Sequence, residues 1–568
     1  MYRQEQSSDL SHTRRAVLCA GIAAAGSELL SGCSGSPPSR DHHAGAPGAV
    51  PARSVPPPGG ESAAPAAEQG HGRATRRLIY TATASTVDLG GGHAVRTWTY
   101  NGEVPARPVR ITTGDTLEMT LNNHLPESTT VHWHGLAVRN DMDGVPNVTQ
   151  RPIRSGASFT YRFRVPHPGT YWFHPHLGLQ LDRGLYAPLI VEDPREPLSY
   201  DREWVVMLDD WVDGVNGASP AGVFAQLRGD KPPMGHGSEH RSGHSDGHER
   251  PPSGARPPRP VGGVDAGYGP PLAHAPGQRG SSAPPDGGDH SYRLPKSAVS
   301  RLLGGPSGHI AYPHYLVNGR TADHPAQFRA RPGERIRLRI INAGAETPFR
   351  VALGGHRLTI THCDGFPVQH HTVDSLLLGM AERYDALVTV KDGVFPLTAL
   401  AEGKRGAAMA VLRTGRGASP TPSVRPAELY RDVLVSARRL RPHDSVAMDR
   451  RRPDRRLKLT LTGGMQEFDW GIDHKPYSPD RILKIERGER VRLTVINATD
   501  MWHPVHLHGH TYALAGTGTL GARKDTSVVL PHRKLVFDMD ADNPGLWMLH
   551  CHNVYHSESG MMTTLGYR

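Results

Sequence analysis

The sequence predicts an all-β protein made of three related sandwich units, and three observations carry that expectation. The first is a repeat. Val109-Arg-Ile-Thr-Thr-Gly114-Asp-Thr-Leu-Glu-Met-Thr-Leu-Asn-Asn is echoed by Phe328-Arg-Ala-Arg-Pro-Gly333-Glu-Arg-Ile-Arg-Leu-Arg-Ile-Ile-Asn and by Leu483-Lys-Ile-Glu-Arg-Gly488-Glu-Arg-Val-Arg-Leu-Thr-Val-Ile-Asn. Each copy turns at a glycine and then alternates apolar and polar residues, the pattern of a half-buried strand. Three copies imply three units, because the same strand must find the same place in each core. The second observation is punctuation: short β-rich runs are separated by glycine and proline, of which the chain has 64 and 50. The third is the lack of sustained helical periodicity.

Taken in order, residues 1–32 read as an export signal. Arg14-Arg15 precede a modestly apolar run ending at Leu30-Ser-Gly-Cys33. The arginine pair fits twin-arginine (Tat) export of folded proteins. Leu-Ser-Gly-Cys fits a bacterial lipobox, whose cysteine is lipidated after cleavage. The run contains Glu28 and is too short to span a membrane as a stable helix. The expected location is the cell envelope, with Cys33 anchored by lipid to the outer face of the cytoplasmic membrane. Residues 33–76 form a Pro/Ala/Gly-rich tether.

The first β unit is expected over 77–212. Residues 213–308 form a low-complexity insert with too few apolar residues to offset its ordering entropy. Within it His236, His240, His244 and His248 recur every fourth residue behind Met234, a set suited to weak metal capture. The middle unit follows at 309–420, a linker at 421–450 and the third unit at 451–568. The middle unit's histidines are scattered. Its Cys363, beside His362, reads as a buried free thiol.

Four cysteines are present: Cys19 in the signal, Cys33 at the lipobox, Cys363 alone and Cys551 among histidines. No disulfide framework remains to be proposed. The formal charge of +10 is spread over signal, tether, insert and the stretch near Arg438–Arg456, and no nucleic-acid motif accompanies it. Nucleic acid is therefore excluded as a partner.

The chemistry is concentrated in four short clusters: His132-Trp-His134-Gly, Trp172-Phe-His174-Pro-His176, His503-Pro-Val-His506-Leu-His508-Gly, and His550-Cys551-His552-Asn-Val-Tyr-His556 followed by Met561. Each His-x-His puts two imidazoles on one face of a strand, since side chains alternate with period two. Neutral imidazole is the commonest protein metal ligand. A thiolate, two imidazoles and a distant thioether form the ligand set of an electron-transferring type 1 copper, and Cys551, His503, His556 and Met561 supply it. The strand neighbours of Cys551 point the other way and are free to hold further metal. The clusters lie only in the first and third units, so a shared site is expected where these two meet.

These motifs, in this order and from about Tyr80 to the C-terminus, resemble the multicopper oxidase family of laccases, ferroxidases and bacterial copper-resistance oxidases, its actinobacterial copper-resistance members most of all. The resemblance implies three Greek-key cupredoxin sandwiches and four copper ions per chain. It makes His132 and His506 ligands of a type 2 copper, and His134, His174, His176, His508, His550 and His552 ligands of a type 3 pair. It implies that a reductant gives up one electron at a time at the type 1 copper and that dioxygen is reduced to water at the three-copper cluster. Reduction of dioxygen consumes protons, and Asp143 and Glu558 are the candidate relays; the position after His556, where many relatives carry an acid, is Ser557 here. Cuprous ion is the expected substrate, in copper detoxification, with phenols and aromatic amines as the alternative. Ferrous ion comes third, with Asp500 the one acid near His503. A non-catalytic copper-binding lipoprotein is the reading from another class.

Overall fold

The computed structural model describes residues 74–229, 291–516 and 520–568. The export signal, Cys33, the tether as far as residue 73, and Met234, His236, His240, His244 and His248 lie outside the described residues, and the tether's last two residues already belong to the strand Thr75–Asp88. Within them the chain forms three pairs of facing sheets. The first pair has Ala94–Tyr100, Thr75–Asp88, Thr116–Asn123 and Ser158–Arg164 in one sheet, and Val109–Thr112, Ala187–Glu192, Gly169–His174 and His132–His134 in the other. The middle and third pairs repeat this plan with wider sheets. No described helix is long and apolar enough to cross a membrane.

The repeat occupies equivalent positions in all three. Thr116–Asn123, Arg335–Asn342 and Arg490–Asn497 each run parallel to the strand that opens their unit. The segment before each turn, Val109–Thr112, Ala326–Arg329 or Ile482–Ile485, runs parallel to the strand that closes it. The turn glycines Gly114, Gly333 and Gly488 all have φ between +83° and +89°, a conformation that a side chain would strain. In the first copy Leu117, Met119 and Leu121 point into the core while the residues between them are half-buried.

The middle copy departs from alternation: Ile336–Asn342 is buried on both faces. Its polar face meets the first unit. Arg339 donates to Thr170 Oγ1 (2.9 Å), which in turn donates to Asp385 (2.7 Å), and Arg337 and Arg339 both pair with Asp385 at 2.6 and 3.1 Å. Burial opposes ionisation of Asp385, but the two guanidinium groups win and hold its carboxyl down to about 2.

Two boundaries differ from the sequence expectation. Arg202–Trp211, placed in the first unit by the 77–212 boundary, pairs with Arg335–Asn342 and His314–Val317 and opens the middle unit. It contains no glycine or proline to mark its owner. The insert expected over 213–308 is folded at both described ends. Pro220–Arg228 is a helix whose N-cap Ser219 accepts from the Gly222 amide and whose chain leaves through Gly229 at φ +75°. On the far side Tyr292 and Arg293 return to it: the Tyr292 amide donates to Gln226 Oε1 (3.2 Å) and Arg293 donates to the Leu227 carbonyl (2.9 Å).

Asp385→Asn leaves two buried arginines short of an anion, which costs about 3–5 kcal/mol at such a site. The difference in unfolding midpoint between wild type and variant is expected to be full above pH 4. It should shrink as pH falls toward 2, because a depressed carboxyl stabilises the fold only while it is ionised. A difference that does not change between pH 5 and pH 2 would contradict the assignment.

Candidate metal centre

Strand parity sorts the histidines. His503–Leu507 pairs antiparallel with Leu546–Cys551, placing Val505 opposite Cys551 and His506 opposite His550. Directly opposed residues share a face. His503 therefore lies on the Cys551 face, and the spacing of three to His506 moves that imidazole to the other. In the first unit His132 stands opposite His174.

Eight imidazoles converge on the second face from the first and third units. The rings of His132 and His508 stack at 3.8 Å, as do those of His134 and His506. His508 Nε2 and His550 Nε2 are 3.0 Å apart, and His176 Nε2 is 3.4 Å from His550 Nε2. Burial holds His134, His174, His508, His550 and His552 well below the ordinary imidazole value, and pushes His176 down to about 3. These rings are neutral, with lone pairs available.

Most of the rings are fixed through one nitrogen and aim the other inward. Nδ1 of His132 donates to the Asp143 carbonyl (2.9 Å), Nδ1 of His506 to the Asp525 carbonyl (3.0 Å), and Nδ1 of His174 to the Pro175 carbonyl (2.8 Å). Nδ1 of His550 donates to the Cys551 carbonyl (2.9 Å) and Nδ1 of His508 to Asp143 Oδ2 (2.9 Å). His134 is held at Nε2 by Asp525 Oδ1 (3.2 Å) and Thr526 Oγ1 (3.1 Å). The inward nitrogens of His132, His134, His174 and His506, and both of His552, are buried without a hydrogen-bond partner among the described residues. Leaving so many polar atoms bare is costly unless a cation takes the lone pairs, so the donor set fits bound metal.

On the opposite face Cys551 Sγ lies 3.6 Å from Nδ1 of both His503 and His556, whose own Nδ1 atoms are 3.1 Å apart. Met561 is fully buried beside them, its amide bonded to the His556 carbonyl (3.0 Å) and its carbonyl to the Cys551 amide (3.0 Å). The outer nitrogens are covered too. His503 Nε2 meets Thr499 Oγ1 at 2.8 Å, and His556 Nε2 meets Nε2 of His309 at 2.6 Å. Trp470 lies against the His556 ring at 4.3 Å between centroids.

Three family models, each described as multicopper oxidase, match residues 81–196, 288–417 and 450–568. The chain is 42% identical over 557 residues to multicopper oxidase MmcO of Mycobacterium tuberculosis, covering 98% of this chain and 96% of that one. The chain belongs to the multicopper oxidase family. It is therefore a copper-dependent oxidoreductase. It is also 29% identical to a copper resistance protein A homolog of Pseudomonas syringae pv. tomato (83% and 89% coverage). Its fold is similar to that of a laccase from Botrytis aclada, with a TM-score of 0.66 at 22% identity (87% and 88% coverage). Fet3p, a multicopper oxidase that functions in iron import, gives 0.65 at 20% (87% and 90%).

The structure brings together every histidine of the four motifs, with Cys551 and Met561, and it brings Asp143 against His132 and His508. Glu558 is not brought in. It is exposed at the end of the helix Val554–Glu558, with no hydrogen bond to any of these histidines among the described residues. Even spacing along a strand does not apply to a residue past His556, where the chain coils. Asp500 is also exposed and pairs with His532 (2.8 Å), not with His503. Cys363 is a buried free thiol, its pKa pushed up to about 12 by burial. Asp525, Thr499 and His309 carry no motif and were not foreseen.

Cys551→Ser is expected to abolish the visible thiolate-to-copper band of the loaded oxidase while leaving copper on the opposite face. Total copper by metal analysis and the absorption spectrum check this together. Asp143→Ala releases His508 from its anchor and should lower copper affinity or dioxygen uptake about 10–100-fold. Wild-type copper content and wild-type uptake in that variant would remove Asp143 from the site.

Proposed function

We propose that the protein oxidises cuprous ion to the less toxic cupric ion, one electron per ion, and passes the electrons to dioxygen, which leaves as water. The observation that carries this reading is the closure of the Cys551 group. An aromatic reductant needs an exposed imidazole edge to lie against, and both outer nitrogens are already engaged, by Thr499 and by His309. A small ion needs no such face. Further support comes from the resemblance to copper resistance proteins, and from where the His-rich segment joins the fold. The helix Pro220–Arg228 rests Phe224 on Tyr555 and Phe468, two residues that flank the His556 side of the site. Capture of copper by Met234, His236, His240, His244 and His248 would then deliver it beside the point of electron entry.

In this reading His503, Cys551, His556 and Met561 hold a type 1 copper, His132 and His506 a type 2 copper, and the other six histidines a type 3 pair. Copper at these positions supplies one-electron transfer on one face and binding and reduction of dioxygen on the other. The peptide links from Cys551 to His550 and His552 make the path between faces short. Asp143 serves the proton side: Oδ2 anchors His508, while Oδ1 is buried 3.2 Å from His132 Nδ1, so one carboxylate faces ligands of both units. The Tat signal and lipid on Cys33 would keep the enzyme at the outer face of the cytoplasmic membrane. A second reading, phenol oxidation, is favoured by similarity to laccase-1 of Cryptococcus neoformans, 26% identical over 84% of this chain and 77% of that one.

Dioxygen uptake by the copper-loaded protein decides between them, with and without Met234 to His248. Uptake with stabilised cuprous ion should exceed that with a dimethoxyphenol, and should fall on deleting the segment. Phenol turnover that exceeds cuprous turnover and ignores the deletion would establish the laccase reading instead.

A further inference from the structure

We propose that His309 is a positioning and specificity residue of the oxidase, a cap on the outer nitrogen of His556 that fixes this ligand's ring and denies aromatic reductants direct contact with it. The inference rests on the reading that His556 is a type 1 ligand and extends it to substrate choice.

With Nδ1 of His556 given to the metal, the polarity of the contact follows. His556 turns Nδ1 toward Cys551 and His503, so its hydrogen resides on Nε2, the atom that meets His309 Nε2 at 2.6 Å. His556 donates and His309 accepts, which places the hydrogen of His309 on its Nδ1. An acceptor on the outer nitrogen makes a ligating imidazole more basic and holds its plane. The pair stands edge to face, with ring centroids 4.9 Å apart and planes at 71°. His309 thus fills the space through which a flat phenol would have to approach.

His309 cannot easily swing away. Its amide donates to Glu346 Oε1, whose other oxygen is paired with the buried Lys404. Its carbonyl accepts from the Leu294 amide at 2.7 Å. Its ring is walled by Phe468 and Trp470 at 5.1 and 5.6 Å between centroids. The preceding residue, Gly308, has φ +135°, and a Cβ there would sit 2.5 Å from Glu346 Oε1. The cap comes from the middle unit's connection between Arg202–Trp211 and His314–Val317, while its wall and its partner come from the third. Substrate access is therefore set by a segment remote in sequence from the copper motifs. His503 has its counterpart cap close by, Thr499, four residues upstream.

The test uses the full copper-loaded chain with His309→Ala, His309→Asn and His309→Gln. Glutamine keeps an acceptor near the position of Nε2; asparagine and alanine do not reach it. Two readouts are taken: the reduction potential of the type 1 site by equilibrium titration of its visible band, and the ratio of kcat/KM for a dimethoxyphenol to that for stabilised cuprous ion. In the alanine and asparagine variants the potential should rise, because a less basic imidazole stabilises the cupric state less. The ratio should rise about tenfold, the low end of what relief of one steric group gives. Glutamine should hold the potential at the wild-type value. A residue with a merely structural role would lower both substrates alike, leave the potential in place and show no rescue by glutamine; that pattern overturns the proposal. So does a glutamine variant that shifts as far as alanine. If alanine fails to hold copper, asparagine against glutamine decides by the same two readouts. Should wild-type protein prefer the phenol, the cuprous reading falls, while the potential shift and the fold-change in the ratio still judge the cap.

Discussion

One buried guanidinium holds the three units in register around the metal centre. Arg383 of the middle unit grips Asp525 of the third through two hydrogen bonds of 2.7 Å, and donates from Nε to the Thr170 carbonyl of the first at 3.2 Å. Arg383 and Asp525 are both fully buried. Asp525 then spends its remaining capacity on the centre itself: its carboxylate meets His134 of the first unit and its carbonyl accepts from His506 of the third. Burial opposes charge on Asp525, yet Arg383 and the two histidines keep it ionised, well below the ordinary carboxylate range. A buried ion pair is a poor source of net stability, but losing one partner is severe. Its value here is positional. The middle unit supplies no histidine to the cluster, yet its arginine fixes the acid that orients ligands from both neighbours.

The same crowding explains the glycine that closes two of the copper motifs. Gly135, after His134, has φ +85°, and a Cβ there would lie 2.4 Å from Arg383 and 2.7 Å from Asp525. Gly509, after His508, has φ +63° and would collide with the Trp547 ring at 2.2 Å. In both motifs the strand must turn just past its last imidazole, and the space it turns into is already filled. The glycines are thus part of how two sheets come close enough to share one set of ligands.

What the sequence disclosed was whatever periodicity can encode. Alternation along Thr116–Asn123 and Arg490–Asn497 gave the β units, and the alternation of Cys551 with His550 and His552 gave two faces of one strand. Arg335–Asn342 kept the repeat but lost the alternation of burial, because Arg337 and Arg339 face another unit rather than water; that fact belongs to the assembly. Arg202–Trp211 had no punctuation to say which unit owned it. Glu558 was placed by analogy of position after His556, and the helical turn there points it to solvent. Asp525, Arg383 and His309 act on the ligands from elsewhere in the chain, and Thr499 acts from four residues upstream of His503. Asp525 and Arg383 stand in sequence contexts without histidine pairs, and Gly308-His309 alone offers no spacing to read. Side chains that orient ligands are recruited by tertiary proximity, which leaves no period behind.

The bare inward nitrogens of the cluster join folding to metal. A β sandwich of this size could bury apolar residues at those positions and be more stable without metal, since each unpartnered imidazole nitrogen costs desolvation with nothing in return. The chain instead assembles eight imidazoles at the meeting of two units and fixes most of them to carbonyls and carboxylates, and burial holds His134, His174, His508, His550 and His552 well below the ordinary imidazole value. Those anchoring hydrogen bonds exist before any ion arrives, so the ion need not reorganise the rings to bind. The interface between the first and third units is therefore completed by its metal: the anchors set the geometry, and the cation satisfies the atoms that the anchors leave exposed to one another.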